Sequence, residues 1–337
     1  MAWNECDIER ITYGELVKQL GQDPAKERFA LYLAARKAVV EDILPEIRAI
    51  LPEHTDHGVA HAVQVLDKAA TLLGLDAGPS VLSGMDLYAL VLAILFHDVG
   101  NIFGRAEHQR KVSEAYQHAC AKGNADKNER YIVVKAAEAH CGQSLDGCPD
   151  TLKDLGERVQ LAGRPVRLRD IAAILRLADE LAEGPERTSR FMQEYHTYPA
   201  ESDLFHRYAE AADVFIERGT ERIALTYNID IKITPDAPQQ LGEEQEKDLR
   251  TLLSFIYKRI IKLDQERQYT RHYCNLLTPF RKTTVTFNFW IAGPPCSVEL
   301  PALTDLVVPG GGTRDLQDYH AEYRLDGLIE KIRHALP

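Results

Sequence analysis

The sequence has no apolar run long enough to cross a membrane. Its longest run, residues 87–96, has ten residues, about half of the roughly 20 that span a bilayer, and it predicts a buried helix. The N-terminal residues are acidic early and show no basic stretch followed by an apolar core, so no secretory signal is visible. We therefore expect a cytoplasmic protein without a membrane partner.

Paired cysteines and positive charge are also scarce. The six cysteines are scattered without a Cys-x-x-Cys pair, which is typical of reduced, structural thiols. The formal net charge of -11 opposes non-specific binding to duplex nucleic acid, because its phosphates need cationic cover. A small anionic substrate is compatible with this charge if a bound metal supplies local positive charge.

Aromatic residues make up 8% of the 337 residues, beside 45% hydrophobic and 27% charged residues. This composition is ordinary for a globular protein, and the length predicts a main domain of about 200 residues with a smaller one. The spacing of apolar residues predicts helices over 25–50, 59–73, 86–97, 106–122, 126–140 and 171–182. The helix over 86–97 is apolar nearly all round, so we expect it at the centre.

The pattern changes after about residue 215. Alternating, β-branched residues predict strands over 222–233, 282–291 and 297–300, around an amphipathic helix over 243–268 and before a helical tail over 315–336. Residues 143–165 predict a long connection. We therefore predict a mainly α protein with an all-helical domain over residues 1–215 and a smaller α+β domain over residues 216–337.

Histidine is the unusual feature, since seven of the twelve lie at positions 54–140. His97 and Asp98 end the most apolar helix, where a buried carboxylate is costly unless it is paired or binds a metal. His61 and Asp179 lie on two other predicted helices, and imidazole with carboxylate is the ligand mix of Zn, Mn and Fe(II). Any one of these histidines could be a hydrogen-bonded core residue, but the four residues together favour a metal site.

His61, the His97-Asp98 pair and Asp179 resemble the H...HD...D signature of the HD superfamily, whose members are mostly metal-dependent phosphohydrolases. The resemblance covers about residues 50–190 and implies a helical HD domain. The residues around His61, around His108 and over 166–181 are similar to the HD-CE subgroup of bacterial conflict systems, which implies a role in phage defence or nucleotide signalling.

One departure disfavours a cyclic-di-GMP hydrolase of the HD-GYP group. Members of that group have lysine where Asn101 stands here, and no Gly-Tyr-Pro follows His108.

His108 and His140 occupy the places where two-metal members of the superfamily carry extra ligands. The resemblance therefore implies two divalent ions bridged by Asp98, with His108 and His140 around one of them. His61, His97 and Asp179 would surround the other. The ligand types do not distinguish Mn, Fe, Mg, Zn, Co and Ni, and loss of one ion would leave a one-metal site.

Three further residues have open roles. His57 is expected to be a metal ligand, a general acid or a cap of the turn before its helix. Arg105, three residues before His108, is expected either to hold a substrate phosphate by forked hydrogen bonds or to be a solvated surface residue. Lys111 has the same two interpretations.

The leading hypothesis is a phosphohydrolase that cleaves a phosphate ester or anhydride of a nucleotide or oligonucleotide through a metal-activated hydroxide, with Asp98 and His57 as catalytic residues. Two other classes stay open, namely a di-iron oxygenase with a similar ligand set and a nucleotide-binding sensor without turnover. The expected partners are a nucleotide or another phosphorylated small molecule, and a second copy of the chain through the C-terminal domain.

Overall fold

The computed structural model describes residues 5–105, 108–120, 126–141, 148–195, 198–233, 241–291, 295–296, 298–306 and 315–336. The fold is mainly α, as predicted. Contacts between residues divide the chain into two compact units. The first comprises residues 1–182 and 269–278, and the second comprises residues 183–268 and 279–337.

The first unit is helical. Its helices are α1 (Asp7–Leu20), α2 (Gln22–Ala38), α3 (Leu44–Ile50), α4 (Val59–Leu73), α5 (Gly84–Phe96), α6 (Val112–Cys120), α7 (Lys127–His140) and α8 (Leu168–Leu181). A π-helical turn, Val39–Ile43, joins α2 to α3 just before Pro45. Because Pro45 has no N–H to donate, the regular helical pattern is interrupted at this point.

Helix α5 is the central helix, and all of its residues are buried. Ser83 and Asp86 form a capping box, in which the Asp86 N–H donates to Ser83 Oγ at 3.2 Å and the Ser83 N–H donates to Asp86 Oδ2 at 3.0 Å. The helix therefore begins at Gly84, before the predicted start at residue 86. With its few polar residues included, the segment Gly84–Phe103 is long and apolar enough to cross a membrane, but 89% of its most apolar part is buried inside the protein, as in a core helix.

The other predicted helices of this unit are present with shifted ends. Helix α4 matches residues 59–73 and ends at Gly74, whose φ of 64° is left-handed. Helix α8 begins at Leu168, so Asp170 lies in its first turn and does not cap it. The helix predicted over 106–122 begins as a 3-10 turn, His108–Lys111, and continues as α6; residues 106–107 and 121–122 lie outside the described residues.

The segment 143–165, predicted as a connection, contains a short hairpin. Strands β1 (Val159–Leu161) and β2 (Arg164–Val166) pair antiparallel. Ala162 and Gly163 both have positive φ, 48° and 74°, as a two-residue type I′ turn requires. Residues 142–147 lie outside the described residues.

A buried carboxylate joins three helices to α7, the helix that ends in His140. Glu129 on α7 accepts hydrogen bonds from the Tyr88 hydroxyl of α5 at 2.9 Å and the Tyr116 hydroxyl of α6 at 2.7 Å. Its third partner is Arg28 of α2, whose Nη1 lies 3.2 Å away. These bonds compensate for burying the charge and fix the position of α7.

The second unit is α+β. Its elements are α9 (Arg190–Tyr195), α10 (Ala200–Ala211), β3 (Ala212–Glu217), β4 (Arg222–Ile231), α11 (Glu243–Tyr273), β5 (Lys282–Ile291), β6 (Leu303–Leu306), α12 (Leu316–Tyr319) and α13 (Leu325–His334). The sheet has the order β3-β4-β5-β6. Its central pair, β4 and β5, is parallel and the outer pairs are antiparallel. Two parallel strands need a long crossover connection, and α11 forms part of the connection between β4 and β5. The last five residues of α11 belong to the first unit.

The strands of the second unit differ from the prediction in two places. The prediction of a strand over 297–300 is wrong, because residues 298–300 are not in a strand and the edge strand is β6. Pro301, which cannot donate a hydrogen bond to a neighbouring strand, follows directly. Residue 297 lies outside the described residues. Strand β3 was not predicted, since it follows α10 without a turn residue between them. The predicted domain boundary at residues 215–216 falls within β3 and stays a prediction.

Candidate metal centre

All six predicted metal ligands lie in the first unit and meet in one place. They come from different elements: His61 from α4, His97 and Asp98 from the end of α5, His108 from the 3-10 turn, His140 from the end of α7 and Asp179 from α8. Five of them are buried. Asp179 is the exception, since 25% of its side chain is exposed, so solvent reaches the site at this residue.

The ends of two helices bring neighbouring residues together. Helix α5 ends at Phe96, and Asp98 has φ -107° and ψ 0°, outside the regular helix. His97 and Asp98 can therefore approach one centre, whereas successive residues inside a helix diverge by about 100°. At the start of α4, Asp56 Oδ2 accepts from the His61 N–H at 3.2 Å and so fixes the turn that carries His61.

One half of the site is formed by His61, His97 and Asp179 with one oxygen of Asp98. Asp179 Oδ1 lies 3.1 Å from His61 Nε2 and 3.5 Å from His97 Nε2. Asp98 Oδ2 lies 3.6 Å and 3.4 Å from the same two nitrogens, which are 3.4 Å apart. Ligand atoms held about 2.05 Å from one ion at tetrahedral angles lie about 3.3 Å apart, so these separations fit a metal ion.

The other half uses the second oxygen of Asp98. Asp98 Oδ1 lies 3.3 Å from His108 Nε2 and 3.8 Å from His140 Nε2. Cys141, which was not predicted as a ligand, lies beside this half, with Sγ 3.7 Å from His108 Nε2 and 3.5 Å from His140 Nε2. The two oxygens of Asp98 therefore face two different sets of side chains.

Backbone carbonyls fix the tautomers of three histidines. In each, Nδ1 bonds to the carbonyl oxygen three residues earlier: His97 to Ile94 at 2.7 Å, His108 to Arg105 at 3.2 Å, and His140 to Ala137. Because a carbonyl oxygen can only accept, Nδ1 carries a hydrogen in each ring, and Nε2 is the nitrogen that can coordinate a metal when it is deprotonated. Metal-binding histidines are oriented in this way by their outer partners.

Both carboxylates of the site are ionised at neutral pH. Burial alone would raise the pKa of Asp98, but the charges of His97 and His57 hold that pKa well below its usual value. Burial likewise opposes the charge of Asp179, and hydrogen bonds from His61 and His97 hold its pKa well below the usual value. Two negative charges around one centre, one of them buried, favour a cation.

The histidines differ in charge before any metal binds. Burial works to lower the pKa of His97, but the carboxylates of Asp98 and Asp179 outweigh it and raise this pKa to about 10. Burial lowers the pKa of His140 to about 4, so its ring is neutral at pH 7. His97 must therefore release a proton before its Nε2 can bind a metal.

The remaining predicted residues lie around this centre. His57 Nδ1 is 2.9 Å from Asp98 Oδ2. Arg105 is exposed, and its Nη1 donates to Asn101 Oδ1 at 3.2 Å. Lys111 is also exposed and lies 3.7 Å from Glu114 Oε1. The roles of these residues stay predictions.

Within the described residues, three groups of side chains could each hold an ion, and the ligand atoms of each group lie within 4.8 Å of one another. The groups are His61, His97 and Asp179; His57, His61 and Asp98; and His108, His140 and Cys141. Cys141 was not predicted to lie in the site, because the scattered cysteines were interpreted as structural thiols, although its position directly after His140 was a signal.

The HD-CE family model matches residues 51–262, well over half of the chain. The chain belongs to the HD-CE family. No curated protein and no solved structure was found to match it. The match includes every candidate ligand and extends into the second unit as far as α11. The HD-CE family and the His/Asp cluster together indicate a metal-dependent hydrolase of the HD type.

Proposed function

We propose that this HD-CE protein is a phosphohydrolase that uses two divalent ions to cleave a phosphate ester or anhydride of a nucleotide or oligonucleotide. The single observation that carries the proposal is the division of the Asp98 carboxylate, with Oδ2 facing His61 and His97, and Oδ1 facing His108 and His140. One carboxylate shared in this way is suited to bridge two ions. Phosphoryl transfer is the chemistry that paired ions assist most directly.

The chain's own residues would hold the ions in two unlike sets. His61, His97 and Asp179 would hold one ion with Asp98 Oδ2, and the set around His108 and His140 would hold the other with Asp98 Oδ1. When bound, paired divalent ions activate water and neutralise charge that develops on phosphoryl oxygens. Their positive charge would also offset the overall charge of -11 where an anionic substrate binds.

His57 is the proposed proton-transfer residue. Its Nδ1 lies 2.9 Å from Asp98 Oδ2, and a carboxylate acceptor requires the hydrogen on Nδ1. Proton exchange would then use Nε2, as in general acids and bases oriented by a carboxylate. The competing role is that of a ligand, because His57 also groups with His61 and Asp98.

Arg105 is the proposed phosphate contact. Its carbonyl oxygen holds His108 Nδ1 and its guanidinium is anchored by Asn101 Oδ1, so the exposed cation is tethered beside the second set of ligands. A planar guanidinium binds phosphate oxygens by two parallel hydrogen bonds. Lys111, whose side chain is 50% exposed, is a weaker candidate for the same task.

The proposal is tested by a screen of ribo- and deoxyribonucleotides and of linear or cyclic oligonucleotides, each with Mn, Mg, Fe, Co or Zn. Products are separated by chromatography and metal content is measured in the same samples. His97→Ala is expected to lose metal and turnover, whereas the exposed His118→Gln keeps both. Full metal content and full rate in His97→Ala would contradict the proposal.

The same samples separate the two other classes of function. Oxygen consumption that depends on iron, without hydrolysis of any nucleotide, would indicate an oxygenase. Tight binding of a nucleotide without turnover would indicate a sensor, and either result would overturn the hydrolase. The role in phage defence or nucleotide signalling rests on the family resemblance and forms part of the proposal.

A further inference from the structure

Cys141 lies where its side chain can join those of His108 and His140. It is the first residue after α7, and its backbone is extended, with φ -79° and ψ 159°. If the helix continued, residues 140 and 141 would point about 100° apart. Because the helix ends, the Cys141 Sγ atom instead approaches His140 Nε2 to 3.5 Å.

The distances from Cys141 Sγ to the two Nε2 atoms match those between ligand atoms that bind the same metal ion. An Sγ atom about 2.3 Å and a nitrogen about 2.05 Å from one ion, at tetrahedral angles, lie about 3.5 Å apart. Cys141 Sγ lies 3.5 Å from His140 Nε2 and 3.7 Å from His108 Nε2. His108, His140 and Cys141 form one of the three candidate groups whose ligand atoms lie within 4.8 Å of one another, and Asp98 Oδ1 lies 3.3 Å from His108 Nε2.

Helix α8, which carries Asp179, also holds the backbone of Cys141. Arg176 Nη1 donates to the Cys141 carbonyl oxygen at 2.9 Å and to Thr151 Oγ1 at 2.7 Å. The Thr151 hydroxyl donates in turn to the Ala139 carbonyl oxygen at 2.7 Å. The end of α7 is thus fixed by buried polar contacts, which preorganise the thiol beside the two imidazoles.

The surroundings argue against a purely structural thiol. A structural cysteine behaves as a small hydrophobe and packs among apolar groups. The Cys141 Sγ atom is instead within 4 Å of ring nitrogens of His108 and His140. Both rings carry their hydrogen on Nδ1, so Nε2 is the atom of each ring that can coordinate a metal ion.

We propose that Cys141 is a thiolate ligand of the second ion, which gives that half of the site a different metal preference from the half around His61 and Asp179. The inference rests on the proposed metal-binding function and names a ligand that the HD signature does not include. On binding, the thiol loses its proton to solvent and a sulfur–metal bond forms. Both halves contain two imidazoles, but a thiolate favours Zn or Fe(II) over Mg and Mn, whereas the carboxylate oxygen of Asp179 in the other half also suits Mg and Mn.

The test uses the full-length chain under anaerobic conditions, with cobalt and zinc as probes. Titration with Co²⁺ should give a sulfur-to-cobalt charge-transfer band that saturates with the second equivalent. Alkylation of the wild-type protein, mapped by mass spectrometry, should show Cys141 protected after Zn²⁺ loading and reactive after chelation. Cys120, which belongs to none of the three candidate groups found in the described residues, should react equally in both states.

Two variants complete the experiment. Cys141→Ser should lose the charge-transfer band and weaken the second Zn²⁺ equivalent by about tenfold or more, in the range seen when the shell of a metal site is altered. Cys120→Ser should keep both. Because the alkylation measurement uses the wild-type protein, it holds even if Cys141→Ser folds poorly.

The outcomes separate this inference from the proposed function. Two bound Co²⁺ ions without a charge-transfer band, or equal alkylation of Cys141 with and without Zn²⁺, would overturn the thiolate ligand and leave a two-ion hydrolase standing. A wild-type protein that binds no divalent ion would overturn the proposed function itself.

Discussion

Gly100 lies directly against the backbone of His108. A Cβ atom on Gly100 would come within 1.8 Å of the His108 carbonyl oxygen and 2.7 Å of its carbonyl carbon. Backbone atoms cannot yield as the end of a flexible side chain can. Gly100 belongs to a 3-10 turn, Val99–Phe103, that directly follows Asp98. This turn can contact the 3-10 turn that begins with His108 only because residue 100 has no side chain.

Gly100→Ala is expected to displace His108 and to empty the second half of the metal site. The overpacking should also destabilise the protein, by about 1–3 kcal/mol or more. Both effects are measurable, as bound metal equivalents and as denaturant unfolding.

Gly14→Ala is the matched control. In the described part of the chain, no heavy atom lies within 4 Å of a Cβ added to Gly14, and alanine favours the helix there by about 1 kcal/mol. If Gly100→Ala bound two ions with wild-type stability, the close contact would have no role in the site.

The charge on His97 predicts how the stability of the metal-free protein depends on pH. The pKa of His97 is raised from 6.5 to about 10, since Asp98 and Asp179 outweigh the effect of burial. A raised pKa adds stability that is fully present below pH 6.5 and is lost as the pH rises through about 10. We expect a loss of at least ~1.4 kcal/mol over this range, the equivalent of one pKa unit.

The measurement is urea unfolding with a chelator present, from pH 6.5 to 10. His97→Gln should lack this pH-dependent loss, and His118→Gln should retain it because residue 118 is exposed. Adding Zn²⁺ should remove the loss, since a coordinated imidazole is neutral. An identical pH dependence in the metal-free wild type and in His97→Gln would contradict the prediction.

The clustering of His61, His97, Asp98 and Asp179 could be predicted from the sequence, whereas their role as metal ligands stays a prediction. His97 and Asp98 follow an apolar helix in which a carboxylate needs a partner, and the structure places His61 and Asp179 beside them. Helical periodicity also predicted α4 and α5 nearly to their ends. The first inference depends on a buried carboxylate and on the resemblance to the H...HD...D signature, and the second depends on a pattern that repeats along a short stretch of chain.

Features that depend on where an element ends could not be predicted. Cys141 approaches His140 only because α7 stops between them, and no periodic pattern marks that point. Strand β3 was missed for a similar reason, since α10 passes into it without a turn residue. The contact of Gly100 with His108 joins residues whose approach depends on the loop between them.

His57→Gln separates a proton-transfer residue from a metal ligand. If His57 transfers a proton, the variant should keep its bound metal, lose about 10²–10⁴-fold in turnover and lose one limb of the pH–rate profile. Metal content and the pH–rate profile are therefore measured on the same preparation. A drop in metal content that matches the drop in rate would make His57 a ligand, while His54→Gln, exposed and three residues away, should change neither quantity.

A buried ion pair should dominate the stability of the second unit. Asp264 and Arg267 on α11 are both 0% exposed, with Oδ1 and Nη2 2.6 Å apart. Thr283 on β5 donates its hydroxyl to the same Oδ1 at 2.8 Å, and Arg267 Nη1 donates to the Phe280 carbonyl oxygen at 2.9 Å. Removing one member leaves a buried charge without its partner, which costs far more than the pair contributes.

Asp264→Ala is therefore expected to destabilise the second unit by about 3–5 kcal/mol, and Thr283→Val by about 1 kcal/mol. Thr286→Val on the exposed face of the same strand should stay within about 0.5 kcal/mol of the wild type. Hydrogen exchange of the β4 and β5 amides reports this unit locally, without assuming that the two units unfold together. We expect these amides to exchange faster in Asp264→Ala than in Thr283→Val and to be unchanged in Thr286→Val. Equal protection in all three variants would show that the ion pair does not hold α11 to the sheet.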